Sequence, residues 1–240
     1  MSNPVFLADD LRPDRVALVG AEGRHAAVVR RLRVGEAVDL VDGRGTRATC
    51  VIAAVTKDGL VCDVQQRTTE PPPALRIVLV QALAKGDRGE LAVELATEVG
   101  VDVVVPWSAS RCVVKWEGAR GEKALERWRA TAREAGKQSR RAHHPEVSPL
   151  ASTAEVVALL GGAALGLVLH ESADAALTGI ALPTSGDVVL VVGPEGGVSE
   201  GELASFAAAT VVRLGPSVLR TSTAGAVAAA VVSARSARWA

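Results

Sequence analysis

Three consecutive prolines, Pro71 to Pro73, sit within "TTEPPPALRIVLVQAL" and divide the chain into two grammars. Proline fixes φ and carries no N–H, so this stretch is extended, stiff and non-helical. Before it, "EAVDLVDGRGTRATCVIAAVTKDGLVCDVQQ" has valine-rich runs of strand length. Asp42-Gly43 and Asp58-Gly59 punctuate those runs as turn dipeptides. The pattern predicts a small β-barrel over residues 1–72. After the prolines, buried-type strands ("LRIVLVQAL", "VDVVVPW", "ALGLVLHE", "DVVLVVGPE", "ATVVRLG") alternate with helices. The helices are "GDRGELAVELATEVG", closed by Gly100, then "EKALERWRATAREAGKQS", "STAEVVALL", "SEGELASF" and "STAGAVAAAVVSARSA". Such alternation predicts a second, α/β domain over 73–240, with a mainly parallel sheet covered on both faces.

Composition narrows the function classes. The 240 residues are 48% hydrophobic, enough for two cores, and the formal net charge is zero. There is no global pull towards nucleic acid or anionic membrane, so only local charge can argue for such a partner. Cys50, Cys62 and Cys112 lie far apart with no CxxC, which excludes a zinc ribbon and fits a reducing compartment. The N-terminal "MSNPVFLADDLRPDR" lacks the basic and apolar regions of a signal peptide. The apolar runs are too short to span a bilayer. These features predict a cytoplasmic protein with no membrane partner. Aromatics are 2% of residues, fewer than a reader of single strands by stacking alone would carry.

The most site-like stretch is "DVVLVVGPEGGVSEGELASF". Glycines between a strand and a helix admit a ligand close to the backbone. Ser199 followed by Glu202 is a capping box and places a helix start at Ser199. The Gly-Lys-Ser/Thr ending of a phosphate loop is missing, and the dinucleotide fingerprint is not matched. Glu195 at its centre would repel pyrophosphate. A plain tight turn competes with a loop that cradles an uncharged or cationic ligand. "RLGPSVLRTSTAGAVAA" and "LVLHES" are two further strand ends of the same kind, the usual position of ligands in α/β proteins. Arg220 stands alone among apolar neighbours in the first of these, and a surface ion pair is the ordinary role for such an arginine.

Together, "GPEGGVSEGE" and "LGPSVLRTSTA" resemble the signature of SPOUT-class RNA methyltransferases, and more narrowly of the RsmE type. "KGDRGELAVELATEVGV" is similar to that family's Lys-Gly-Asp-Arg helix, which begins at Lys85 and carries Arg88. "AREAGKQSRRAHHPEV" is similar to its Gln-Ser-x-Arg segment through Gln138, Ser139 and Arg140 or Arg141. "HAAVVRRLRVGEAVDLVDGRG" resembles its N-terminal barrel, with Arg31 at the family's arginine position. Arg30, Ser217 and Ser222 depart from the family pattern.

The resemblance implies S-adenosyl-L-methionine as cofactor and N3 of a specific uridine in 16S ribosomal RNA as the methylated atom, with the assembled small ribosomal subunit as substrate. It implies a deep trefoil knot in the second domain, a PUA-like first domain that holds RNA, and a homodimer. Cofactor contacts carry over to Leu169, His170 and Glu171, then Gly193, Pro194, Glu195, Gly196 and Gly197. They continue at Leu214, Gly215, Ser217, Val218 and Leu219. For methylation of uracil N3, Arg220 is the expected cation for the developing anion. Glu195 is the expected second catalytic group, as hydrogen-bond acceptor, partner of a sulfonium, or base.

Charge distribution adds an RNA expectation. From Arg111 to Val147 there are ten Lys/Arg against five Asp/Glu, whereas from Ser148 onward there are four against seven. Lys137, Arg140 and Arg141 beside His143 and His144 are expected to meet phosphate, although a solvated helix face reads the same way. Arg30, Arg31 and Arg33 extend this in the barrel but cannot all face one way. The adjacent histidines are poorly spaced for a metal, and none is expected. Two other functions fit the same motifs: a SPOUT methyltransferase for transfer RNA, and a non-catalytic RNA-binding assembly factor. Product mapping separates the first, and absence of methyl transfer the second.

Overall fold

The computed structural model describes residues 3–239. Two units account for the fold. One is the chain up to Pro72 together with Gly136–His144; the other is Pro73–Ala135 with the chain from Pro145 onward.

The first unit is a five-stranded sheet of β1 (Val5–Leu7), β2 (Arg15–Leu18), β3 (Ala37–Val41), β4 (Thr46–Thr56) and β5 (Gly59–Thr69). Their order is β1-β3-β4-β5-β2, antiparallel except where β1 runs beside β3. The valine runs that read as short strands join into two eleven-residue strands, β4 and β5. Register shifts at Thr49/Cys50 and Ile52/Ala54 bend that hairpin, which lets long strands curve over a small core. Alternate residues face inward, including Val38, Leu40, Ala48, Cys50, Ile52, Leu60 and Cys62. Burial pushes the Cys50 thiol up to about 12 and the Cys62 thiol to about 11, so both serve as small apolar side chains. Between β2 and β3, α1 (Gly20–Arg24) runs into a wider π turn at His25–Val29. Arg30, Arg31 and Arg33 follow it, all exposed, with Arg31 in the left-handed region at φ 54°.

The segment 136–144, read from sequence as part of the second domain, packs with the first unit. Backbone hydrogen bonds fix it there: Gly45 N–H donates to the Ala142 carbonyl at 3.0 Å, and His144 N–H to that of Gly43 at 2.9 Å. Arg47 donates to the Arg140 carbonyl at 2.6 Å, and the His143 ring meets the Glu70 carbonyl at 2.8 Å. Gln138 and Arg140 are exposed; Ser139 and Arg141 are half-buried. Lys137 does not join a surface cluster. Its ammonium is buried, 2.6 Å from Glu22 Oε1, because an aliphatic stem this deep needs a carboxylate at its end.

The ring of His144 turns inward. Both ring nitrogens are buried without a hydrogen-bond partner, and the ring leaves no room for a Cβ on Gly136, only 2.8 Å away. Burial, reinforced by Arg141 and Lys137, pulls its pKa from 6.5 to about 4. The neutral form therefore belongs to the folded state. Its stabilisation is complete above pH 6.5 and is lost as pH falls towards 4, because the unfolded chain takes up the proton first. Discounted for partial exposure, the loss is on the order of 2 kcal/mol. Urea unfolding at pH 7 and pH 4.5 measures it. His144→Phe should remove most of this difference, and an unchanged difference would assign the acid sensitivity elsewhere.

The second unit is a seven-stranded, wholly parallel sheet. Its strands are β6 (Leu75–Ala82), β7 (Val103–Trp107), β8 (Glu146–Val147), β9 (Leu165–Leu169), β10 (Ala175–Ala176), β11 (Gly186–Val192) and β12 (Ala209–Arg213). The helices are α2 (Arg88–Glu98), α3 (Gly118–Gln138, whose last residues belong to the first unit), α4 (Thr153–Gly162), α5 (Glu200–Ser205) and α6 (Thr221–Ala234). Sheet order is β10-β12-β9-β11-β6-β7-β8. The edge strands β8 and β10 are two residues each, too short to carry a period that sequence could reveal.

Both faces of this sheet are covered. Ile77, Leu79, Val188 and Leu190 pack with Val93 and Ala96 of α2, Trp128 of α3 and Ala228, Ala229 and Val232 of α6. Val78, Val80, Val189 and Val191 pack on the opposite side with Val156 and Leu160 of α4 and with Phe206 after α5. Two-faced burial explains why these strands read as unbroken apolar runs. The small residues of α6 have a packing reason: a Cβ on Gly225 would lie 2.8 Å from Leu79 Cδ1. Gly100 closes α2 at φ 98°, as its position predicts. Lys85 to Asp87, expected as helix, form a turn instead, with Gly86 at φ 70°; α2 begins at Arg88. No helix among the described residues is long and apolar enough to cross a membrane.

Candidate functional site

Within the second unit, β11 lies between β9 and β6, where the strand order reverses direction. The carboxyl ends at such a reversal splay apart and leave a crevice. The ends of β6, β7, β9, β11 and β12 and the start of α6 line one cavity here, of about 1010 Å³. Leu169, His170 and Glu171 line it after β9; Gly193 to Gly197 after β11; Leu214, Gly215, Ser217, Val218 and Leu219 after β12. Arg220 stands at the start of α6, and Lys85 and Arg88 come from the turn after β6. Arg30, Arg31, Arg33, Gln138, Ser139, Arg140 and Arg141 belong to the first unit and are not part of this cavity.

The glycine loop is shaped by close approach. A Cβ on Gly193 would lie 2.8 Å from Val198 Cγ2, so only glycine lets the chain fold back there. Gly197 has φ 73° and donates to the Pro194 carbonyl at 2.8 Å, closing a tight turn. Ser199 then caps α5 as the sequence predicts, its Oγ accepting from Glu202 N–H while the Glu202 carboxylate accepts from Ser199 N–H.

Charges in the cavity divide by occupation. Glu195 Oε1 accepts from Lys85 N–H at 3.1 Å, which ties the glycine loop to the turn after β6. Arg111 donates to the Gly196 carbonyl at 3.0 Å, and Arg213 donates to the carbonyls of Ala173 and Asp174. The Arg220 guanidinium has no partner among the described residues, unlike the surface ion pair an isolated arginine usually makes. Only its carbonyl is engaged, by Thr223 and Ala224 N–H in the first turn of α6. His170 Nδ1 accepts from Ser172 N–H at 3.2 Å, which fixes the ring on its own turn. The cavity therefore offers a carboxylate on the glycine loop and an unengaged cation on another wall.

Sequence reasoning missed Arg111, counted only as charge, and a second role for Glu202. Glu202 is 5% exposed and also accepts from Ser110 N–H at 2.7 Å and Ser110 Oγ at 2.9 Å. Burial raises its pKa, but the hydrogen bonds from Ser199 and Ser110 outweigh that and hold the carboxyl below its ordinary value. Capping-box spacing could reveal Ser199; nothing local announces Ser110.

The family model described as RNA methyltransferase domain matches residues 70–233, and that described as RNA methyltransferase PUA domain matches 18–65. A Mycobacterium bovis protein named ribosomal RNA small subunit methyltransferase E is 49% identical over 245 residues, covering 98% of this chain and 93% of its own length. The chain belongs to the ribosomal RNA small subunit methyltransferase E family. A Bacillus subtilis member of the family is 30% identical over 227 residues, covering 90% of this chain and 89% of its own. The solved structure of a Neisseria gonorrhoeae family member bound to S-adenosyl methionine is similar at a TM-score of 0.87 and 29% identity, over 98% of each chain.

Proposed function

We propose that this protein uses S-adenosyl-L-methionine to methylate N3 of a specific uridine in 16S ribosomal RNA, acting on the assembled small subunit. The observation that carries this reading is a cavity that holds both a carboxylate-bearing glycine loop and an arginine without a side-chain partner among the described residues. Its volume, about 1010 Å³, suffices for a nucleoside-sized cofactor together with a base. Membership of the family and the likeness to a cofactor-bound relative support the same reading.

The residues fit the cofactor chemically. The glycine loop, Leu169 to Glu171 and Leu214 to Leu219 would hold it, largely by backbone. When bound, S-adenosyl-L-methionine supplies a methyl group on a positively charged sulfur. Glu195 brings negative charge to that wall, with Oε1 held by Lys85 N–H and Oε2 left as an acceptor. Uracil N3 carries a proton at neutral pH, so negative charge develops on the base as that proton passes to an acceptor, either Glu195 Oε2 or solvent water. Arg220 stabilises this charge from the start of α6. Lys85 and Arg88, at the same mouth, hold RNA phosphate. In the first unit, a PUA-like barrel, Arg30, Arg31, Arg33, Gln138, Ser139, Arg140 and Arg141 contribute further RNA contacts.

The same proposal includes a knotted second domain, a homodimer and a cytoplasmic location. The late strand β11 lies between the earlier strands β9 and β6, an order that a chain end threaded through a loop would also give. Val113 and Val218, 78% and 77% exposed at the cavity mouth, are the apolar surface a second subunit would cover. A ribosomal substrate places the enzyme in the cytoplasm. The test is transfer of labelled methyl to assembled small subunits and to naked 16S RNA, followed by mapping of the modified base. A base-methylated uridine on the subunits is expected. A ribose product, or none, would overturn the reading.

A further inference from the structure

Glu202 is a carboxylate buried without a cation: among the described residues no lysine or arginine pairs with it. Donors from three segments meet its charge instead. Ser199 gives its N–H at 2.9 Å and its Oγ at 2.6 Å, which completes the cap of α5. Ser110, in the loop after β7, gives its N–H at 2.7 Å and its Oγ at 2.9 Å. Thr153, at the start of α4, reaches Oε1 at 3.4 Å. A helix cap needs only the first pair, so the bonds to Ser110 require another explanation.

The residue after Ser110 supplies it. Arg111 donates to the Gly196 carbonyl at 3.0 Å, and its Cβ lies 3.2 Å from where a Cβ on Gly196 would stand. Residues 110 and 111 therefore grip the segment 196–202 at two points, one at Glu202 and one in the cavity. Such a closed ring removes freedom that the glycine loop would otherwise lose on binding a ligand.

We propose that Glu202 is a positioning residue, which latches the loop after β7 onto the glycine loop and, through Arg111, preorganises the cofactor wall of the cavity. The affinity part of this inference rests on the cofactor reading above; the ordering part does not. Hydrogen exchange of the free protein tests the ordering. Glu202→Gln and Ser110→Ala should each speed exchange of the amides at 193 and 195–198, and Arg111→Ala should do the same. Ser110→Ala deletes a single hydroxyl and is the safeguard should Glu202→Gln fold poorly. Unchanged exchange in a folded variant would overturn the latch.

Calorimetric titration with S-adenosyl-L-methionine tests the affinity. Glu202→Gln and Arg111→Ala should each raise Kd by about tenfold. The double variant should lose no more than the worse single variant, because both act through one linkage. Additive losses, or a Glu202→Gln protein with lowered Tm and unchanged Kd, would reduce Glu202 to a helix cap and sink the proposal. Faster exchange in the variants together with no binding by the unmodified protein would leave the latch standing and remove the cofactor reading.

Discussion

Arg220→Ala is expected to lower methyl transfer by roughly 10²–10³-fold while the Kd for S-adenosyl-L-methionine changes little. The size follows from the kind of interaction. A preorganised cation aimed at developing charge acts most strongly in the transition state, so its loss appears in kcat more than in binding. The guanidinium is free to take that role because no carboxylate or carbonyl among the described residues holds it, whereas Arg111 and Arg213 at the same cavity are spent on backbone carbonyls. Arg220→Lys keeps the charge but not the planar fork, and should recover only part of the rate. Single-turnover transfer to small subunits, with cofactor affinity measured separately, gives both numbers. Unchanged turnover in Arg220→Ala would remove it from the chemistry.

Arg238→Ala should destabilise the protein by roughly 3–5 kcal/mol, the cost of leaving one half of a buried ion pair without its partner. Arg238 Nη1 lies 2.7 Å from Asp102 Oδ2, and the two side chains are 13% and 11% exposed. The same guanidinium donates to the carbonyls of Leu75, at 2.6 Å, and Gly100. Asp102 in turn accepts from Ile77 N–H at 2.8 Å. This network ties the last turns of the chain to the starts of β6 and β7, at the opposite end of the strands from the cavity. Cofactor affinity of the folded variant should therefore stay unchanged. Urea unfolding reads the loss, and a value under about 1 kcal/mol would mean that the pair is screened like a surface one.

Much of this was legible in the sequence because it is local or periodic. The proline break marks where alternating strands give way to buried parallel ones, and a capping box at Ser199 and Glu202 is a four-residue signal. Other features depend on partners distant in the chain or on a single backbone angle. Lys85 to Asp87 sit beside a helical pattern, but Gly86 at φ 70° makes them a turn. Lys137 reads as one of a basic cluster; its burial against Glu22 depends on a partner 115 positions away. The segment 136–144 follows a helix of the second domain, yet its backbone bonds go to residues 43 and 45 of the first unit.

The glycine loop draws the line between the two kinds of information. Its glycines, its acidic centre and the absent lysine are written in "GPEGGVSEGE", and they turn the expected ligand away from polyphosphate. What surrounds the loop is not written there. Insertion of β11 between β9 and β6 brings Lys85 N–H to Glu195, across 110 residues, and Arg111 to Gly196, across 85. Periodicity reports which face of a strand is apolar, because burial acts on each strand separately. It carries no record of which strand lies beside which, since that order is chosen only when the whole sheet packs.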